Sequence, residues 1–133
     1  MDASSVASKI RDLLGRMVVQ GSQAQGRGVP IFWIERGSVA KAARTLREDP
    51  DLQMALLDGV SAMVVEGSWA VTYFVTSTKL GSTAALRVTA DGRKKSDAPK
   101  IPSVAAVWPA AELYERALAE RDGLSFEGGG REA

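Results

Sequence analysis

Three glutamates and one arginine lie close together near the C-terminal end of the sequence: Glu112, Glu115, Arg116 and Glu120. Neighbouring carboxyl groups can act as general acid and general base when burial separates their pKa values. However, Arg116 lies four residues from both Glu112 and Glu120, which is the spacing at which opposite charges pair along a helix surface. The spacing therefore favours a solvated ion-pair stripe over an acid–base site.

The missing residue types exclude several kinds of site. The 133-residue chain has no cysteine and no histidine, so disulfides, thiolate or imidazole metal sites and histidine-based nucleophiles cannot form. We expect no catalytic residue, no metal site and no bound cofactor. The 17 basic and 16 acidic side chains leave a formal net charge of +1, which gives no general attraction to nucleic acid. A stand-alone small-molecule-binding or carboxylate-dependent enzyme domain remains an alternative.

Two other segments have simple structural interpretations. The basic loop over residues 93–100 is expected to be a solvated hairpin-end loop. The glycines at 26 and 28 lack the later glycine and the preceding strand of a dinucleotide fingerprint.

No apolar run reaches the roughly 18 to 20 residues that span a bilayer, and residues 1–8 do not resemble a secretory signal. We therefore expect a cytoplasmic protein without direct membrane insertion.

The periodicity of apolar residues predicts helices that flank one mainly antiparallel sheet, which is an α+β fold. Helical spacing predicts a helix over residues 5–20, a second from residue 39 until Pro50, a short one from Asp51, and one over 110–122. Runs of β-branched and aromatic residues predict strands over residues 29–35, 62–65, 69–79 and 83–90. The last three strands are expected to form an antiparallel meander, with Trp69, Val71, Tyr73 and Val75 on one face.

The last helix is predicted to have an apolar face and a charged face. The apolar face is expected to contain Leu113, Tyr114, Ala117 and Leu118, and the solvated face the four charged residues named above. Gly123 is expected to end this helix. The whole chain is expected to form a single domain: an N-terminal helix and flexible connector over 1–28, an α+β domain over 29–126, and a disordered tail over 127–133.

One longer run of sequence resembles a known family. Residues 101–128 read IPSVAAVWPAAELYERALAERDGLSFEG. They resemble the 30 kDa subunit of respiratory complex I, the NADH:quinone oxidoreductase. That family shows Pro-Ser-Val, then a Trp-Pro-x-Ala-x-Trp-Tyr-Glu-Arg-Glu helix, an Asp, and Gly-Ile-x-Phe-x-Gly-His-Pro. The matching residues are Pro102, Ser103, Val104, Trp108, Pro109, Ala111, Tyr114, Glu115, Arg116, Gly123, Phe126 and Gly128.

The resemblance covers roughly residues 29 to 128, with 69–77 in the place of a family strand. The chain also departs from the family pattern at several positions. Ala117 stands where the family has a second glutamate, Glu120 where it has aspartate, and Asp122 where it has an aromatic residue. Two glycines replace the His-Pro pair, so the chain resembles a short, diverged member.

The resemblance implies a non-catalytic accessory subunit without a cofactor, in the electron-transport machinery of the respiratory chain. The family's subunit packs on the peripheral arm against the large quinone-site subunit and near iron–sulfur subunits, on the cytoplasmic side of the inner membrane. An equivalent subunit of a membrane-bound hydrogenase or formate hydrogenlyase is the alternative. The partner interface that the resemblance implies contains Trp108, Pro109, Glu112, Glu115, Arg116, Gly123 and Phe126.

Overall fold

Three helices and seven strands make up the part of the chain that the structure, a computed structural model, describes: residues 3–25, 29–65, 67–90 and 100–127. The helices are α1 (Ala3–Leu14), α2 (Val39–Glu48) and α3 (Ala111–Asp122). The strands are β1 (Val18–Gln25), β2 (Val29–Ile34), β3 (Leu56–Val65), β4 (Ser68–Thr76), β5 (Thr83–Ala90), β6 (Lys100–Pro102) and β7 (Ser125–Glu127). Short 3₁₀ turns, Gly15–Met17 and Arg36–Ser38, precede β1 and α2.

The main sheet has the strand order β1-β2-β5-β4-β3. Its β3, β4 and β5 pair antiparallel as consecutive strands, which confirms the predicted meander. β1 and β2 are also antiparallel, whereas β2 runs parallel to β5 and joins the two halves of the sheet. β6 and β7 form a small parallel pair. The fold is α+β, as the sequence predicts.

The hydrophobic core lies between one face of the main sheet and the helices. Val71, Tyr73 and Val75 of β4 belong to it and Trp69 packs against it, so these four residues share a face as predicted. Apolar residues of α1 and α2 recur at helical spacing on the other side of the core: Val6, Ile10, Leu14, Val39, Ala42, Ala43 and Leu46. None of the described helices is long and apolar enough to cross a membrane.

The other face of the sheet carries a polar cluster between large side chains. The Arg87 guanidinium lies over the Trp33 ring, 5.3 Å from its centroid, and its Nε donates to Thr72 Oγ1 at 2.7 Å. Thr72 is buried although it carries a hydroxyl group, because Arg87 both covers it and supplies a hydrogen bond. The Arg87 side chain thus covers part of this face of the sheet.

The structure corrects the prediction for the N-terminal region. The first helix ends at Leu14 rather than at residue 20, because Gly15 adopts a left-handed φ of 51° that ends the helix. Residues 18–25, predicted to be mainly a flexible connector, form β1 and pair with β2. Residues 26–28 of that connector lie outside the described residues, as do residues 93–99 of the predicted basic loop.

The short helix predicted from Asp51 is absent from the described chain. Instead, the Asp49 carboxylate accepts hydrogen bonds from the backbone N–H groups of Asp51 and Leu52, both at 3.1 Å, which forms a side-chain-closed turn. The chain then enters β3 at Leu56, six residues before the predicted strand. Glu127, predicted to begin a disordered tail, pairs with Pro102 in the small sheet, and the rest of that tail lies outside the described residues.

Candidate functional site

The loop before α3 is fixed by a buried carboxylate. Glu115 is 6% exposed, and both of its carboxylate oxygens accept hydrogen bonds. Ser103 Oγ donates to Oε1 at 2.5 Å, and the Val104 backbone N–H donates to Oε2 at 2.9 Å. We call these three residues the Glu115 latch. Because the oxygens are occupied by the chain's own donors, this carboxylate is used to hold the loop.

Local sequence explains how the loop reaches this position. The Ser103 N–H donates to the Glu127 carbonyl at 2.7 Å and so continues the pairing of β6 with β7. Ser103 Oγ then accepts the Ala105 N–H at 3.1 Å, which turns the chain towards α3. The N–H groups of residues 107 and 108 both donate to the Val104 carbonyl, at 3.0 and 2.9 Å. The Pro-Ser-Val segment thus forms a tight corner.

Trp108 fastens the same loop to the rest of the domain. Its ring is 2% exposed, and its Nε1 donates to the Met54 carbonyl at 2.9 Å. The Arg47 guanidinium of α2 donates to the neighbouring Val107 carbonyl. Pro109 follows on the surface, where a proline suits a helix start because it lacks an N–H. The Trp-Pro pair therefore lies where α3 begins, and Trp108 connects this end of the helix to the segment before β3.

Burial dominates the electrostatics of the latch. It raises the pKa of the Glu115 carboxyl above its ordinary value, against the hydrogen bonds from Ser103 and Val104, which lower it. The Tyr73 hydroxyl nearby is also buried, and burial followed by the charge of Glu115 raises its pKa. This hydroxyl has no hydrogen-bond partner among the described residues. Tyr73 therefore carries an uncompensated polar atom in the core.

Replacing Tyr73 with phenylalanine is expected to leave the free energy of unfolding unchanged or to raise it by up to about 1 kcal/mol. The ring still fills its place, and the desolvation cost of an unpaired hydroxyl disappears. Urea unfolding of the two proteins measures the difference. A loss of more than about 1 kcal/mol would show that the hydroxyl has a partner in solution.

The exposed face of α3 differs from the sequence prediction. Leu113 is 69% exposed and Ala117 is also exposed, whereas Ala111, Glu115 and Leu118 are buried. Glu115 faces the interior because Ser103 and Val104 donate hydrogen bonds to its carboxylate. With Glu115 on the buried side of the helix, Leu113 lies on the exposed side.

The seven residues of the expected interface differ in how far the structure exposes them. Trp108 and Glu115 are buried inside this chain, and Phe126 is partly buried against its core. Gly123 ends α3 with a left-handed φ of 75°, as expected. Pro109 and Arg116 are exposed and Glu112 is half-buried, with Arg116 Nη2 and Glu112 Oε1 paired at 3.2 Å.

Sequence reasoning missed Leu113 as a surface residue. Three positions with helical spacing, 111, 115 and 118, form the buried stripe, but the glutamate in the middle disguises it. The one available signal was the Ser103 hydroxyl upstream, which is the type of donor that a buried carboxylate requires. Leu113 therefore joins Pro109, Glu112 and Arg116 as what we call the α3 surface.

The described residues contain no group of three or more acidic side chains placed to hold a metal ion. The carboxylates nearest the motif are already engaged by Ser103, Val104 and Arg116. These hydrogen bonds thus hold the loop beneath an exposed helix face. A loop held in this way can preorganise a surface for a partner protein.

Comparison with known proteins identifies the family of this chain. The family described as "Respiratory-chain NADH dehydrogenase, 30 Kd subunit" matches residues 32–131, which include both the meander and α3. The chain belongs to this family. The match spans the latch and the α3 surface together, so both lie within the length that the family shares. This confirms the family that the sequence motifs indicate.

Two relatives show how much of a typical family protein the chain represents. It is 28% identical over 131 residues to an NADH-quinone oxidoreductase subunit of Roseiflexus sp., covering 96% of this chain and 72% of that protein. It is 33% identical over 106 residues to the corresponding subunit of Streptomyces coelicolor, covering 76% of this chain but 40% of that protein. The match therefore spans less than half the length of the second relative.

A solved structure shares the fold. A chain in the membrane-bound sulfane sulfur reductase, an archaeal respiratory membrane complex, superimposes with a TM-score of 0.76. The match covers 95% of this chain and 71% of the other at 22% sequence identity. The similarity therefore extends to the overall arrangement of helices and strands.

Proposed function

We propose that this protein is a non-catalytic accessory subunit of a complex-I-like NADH:quinone oxidoreductase. It packs against the large quinone-site subunit and the iron–sulfur subunits of the peripheral arm, on the cytoplasmic side of the inner membrane. One observation carries the proposal. In the motif that identifies the family, Glu115 and Trp108 are buried and form hydrogen bonds within this chain that hold the loop before α3. A motif built in this way suits docking better than chemistry.

The α3 surface is the part of that motif that a partner can touch. Leu113 offers an exposed apolar side chain, and Arg116 lies one turn further along the helix. Arginine is enriched at interface hot spots and forms forked hydrogen bonds with carboxylates. Glu112 already orients the Arg116 guanidinium in the free subunit, which reduces the ordering that binding requires.

Replacing Arg116 with glutamate is expected to leave the subunit folded, with a melting temperature lower by only a few degrees, because the side chain is exposed. Co-purification with the large subunit should fall by about tenfold or more, since loss of a desolvated interface charge costs about 2 to 5 kcal/mol. Affinity purification from native membranes, read by quantitative mass spectrometry, measures the second effect.

The matched control is Arg121 replaced with glutamate. Arg121 lies on the last turn of the same helix and is also an exposed, ion-paired arginine. Its reversal should change stability by a similar small amount and leave co-purification intact. If both variants co-purify with the large subunit as well as the unchanged protein does, Arg116 is only part of a solvated ion-pair stripe.

The equivalent subunit of a membrane-bound hydrogenase or formate hydrogenlyase is the second candidate. The shared fold with a chain of the archaeal sulfane sulfur reductase supports it, because that complex is also a respiratory membrane assembly. The residues of this chain are equally suited to both settings. Nickel-ligating cysteines in the large subunit that co-purifies would identify a hydrogenase, and their absence would favour the oxidoreductase.

A further inference from the structure

The outer edge of β3 is free among the described strands. β3 is the last strand of the main sheet, so one edge pairs with β4 and the other has no described strand beside it. Such an edge carries a row of backbone N–H and carbonyl groups that can pair with another chain. Natural proteins usually protect long edges with lysine, proline, bulges or a covering helix.

Among the residues that the structure describes, such protection is found only along the first half of this edge. A register shift between Leu57 and Gly59 bulges the strand, and α3 lies against it there, with Tyr114 Oη donating to the Asp58 carbonyl at 3.3 Å. From residue 60 to 64 the pairing with β4 is regular. This stretch reads VSAMV and has neither charge nor proline.

Apart from Ser61, the side chains of residues 60–64 are apolar, and they lie on both faces of the sheet. Met63 is 49% exposed and Val64 is 60% exposed. Because successive residues of a strand point to opposite faces, these two side chains flank the edge from both sides. An incoming strand would therefore bury apolar surface on each face in addition to pairing its backbone.

We propose that the edge of β3 over residues 60–64 accepts an extended, uncharged segment of the large subunit, which adds a sixth strand to the sheet. The inference rests on the proposed function and names a second contact with the same partner. Continuity favours this occupant, because α3 touches β3 and one partner can cover the α3 surface and the edge together. An uncharged segment fits, since a charge opposite Met63 and Val64 would be desolvated without a counter-ion.

Hydrogen exchange, measured on the isolated protein and on the complex obtained by expressing it together with its large subunit, tests the proposal. Backbone amides on the free edge within residues 60–64 should exchange rapidly in the isolated protein. In the complex their exchange should slow by about a hundredfold or more, because they then donate to the added strand. Docking through side chains alone would leave these amides fast, and that result would overturn the proposal.

A double variant, Met63→Lys and Val64→Lys, places charges on both flanks of the edge. The two side chains are 49% and 60% exposed, so the protein should remain folded, while co-purification falls by about tenfold or more. The control variant is Val19→Lys. Val19 is 63% exposed near the start of β1, the strand at the opposite edge of the sheet. This variant should co-purify with the large subunit as the unchanged protein does.

The remaining outcomes are distinguishable. Retained co-purification of the double variant would overturn the edge contact and leave the proposed function in place. Failure of the unchanged protein to bind any large subunit would overturn the proposed function itself. Dimerisation of the isolated protein that the double variant abolishes would assign the edge to a second copy of this chain and reject the partner segment.

Discussion

Replacing Trp108 with alanine will destabilise the protein by about 3 to 5 kcal/mol, the usual cost of removing a large buried aromatic side chain. The ring is among the largest fully buried side chains of the domain. Its Nε1 also holds the connection before β3 through the Met54 carbonyl, which the variant would leave without that donor. Since small domains are stable by only about 5 to 15 kcal/mol, this loss is a large fraction of the total.

Two further variants separate the ring from its hydrogen bond. Trp108→Phe keeps most of the apolar volume and loses the N–H donor, so it should cost clearly less than the alanine variant. Leu113→Ala removes an exposed side chain of α3 and should change stability by about 0.5 kcal/mol or less. Urea unfolding monitored by circular dichroism compares all three. An alanine variant within about 1 kcal/mol of the unchanged protein would show that the loop before α3 does not depend on Trp108.

The meander could be predicted from the sequence because its signals are local. Residues 69–76 are dense in β-branched and aromatic side chains, and β3, β4 and β5 follow each other along the chain. Pro109 and Gly123 mark the two ends of α3 in the same local way. In these segments the residue types, the periodicity and the turns all indicate the same structure.

β1 could not be predicted because its stability depends on a neighbour. The segment VVQGSQAQ contains glycine and several polar residues, which by composition suit a connector. It becomes a strand by pairing with β2, whose apolar sequence predicts a strand more clearly than that of β1 does. The parallel pairing of β2 with β5 across α2, β3 and β4 was equally out of reach, since it depends on contacts distant in sequence.

The exposed face of α3 was mispredicted for a related reason. Charges at 112, 115, 116 and 120 have the spacing of an ion-pair stripe, and two of them do pair in that way. The role of Glu115 is decided instead by Ser103, twelve residues earlier in the loop that follows β6. Periodicity reports which side chains share a face, but a hydrogen-bond donor from elsewhere can make a carboxylate the buried one.

Replacing Glu115 with leucine will cost about 2 to 5 kcal/mol, because the Ser103 hydroxyl and the Val104 N–H would each lose an acceptor in a buried site. Glu115→Gln should cost much less. Its carbonyl oxygen can accept the Val104 N–H, and its NH₂ group can donate to Ser103 Oγ once that hydroxyl turns. Glu120→Gln, at an exposed position of the same helix, is the control and should have little effect.

The stability difference between the unchanged protein and Glu115→Gln is expected to depend on pH. Burial raises the pKa of Glu115 in the folded protein above its ordinary value of 4.5, so the folded state keeps a proton that the unfolded state releases. The stability that Glu115 contributes is therefore complete below pH 4.5 and is lost as the pH rises through the folded pKa. Glutamine does not titrate, so the stability deficit of Glu115→Gln should be largest in acid and should shrink towards neutral pH. Urea midpoints measured from about pH 4 to about pH 8 test this trend. A deficit that grows with pH would mean that the bonds from Ser103 and Val104 outweigh burial and hold the carboxylate ionised.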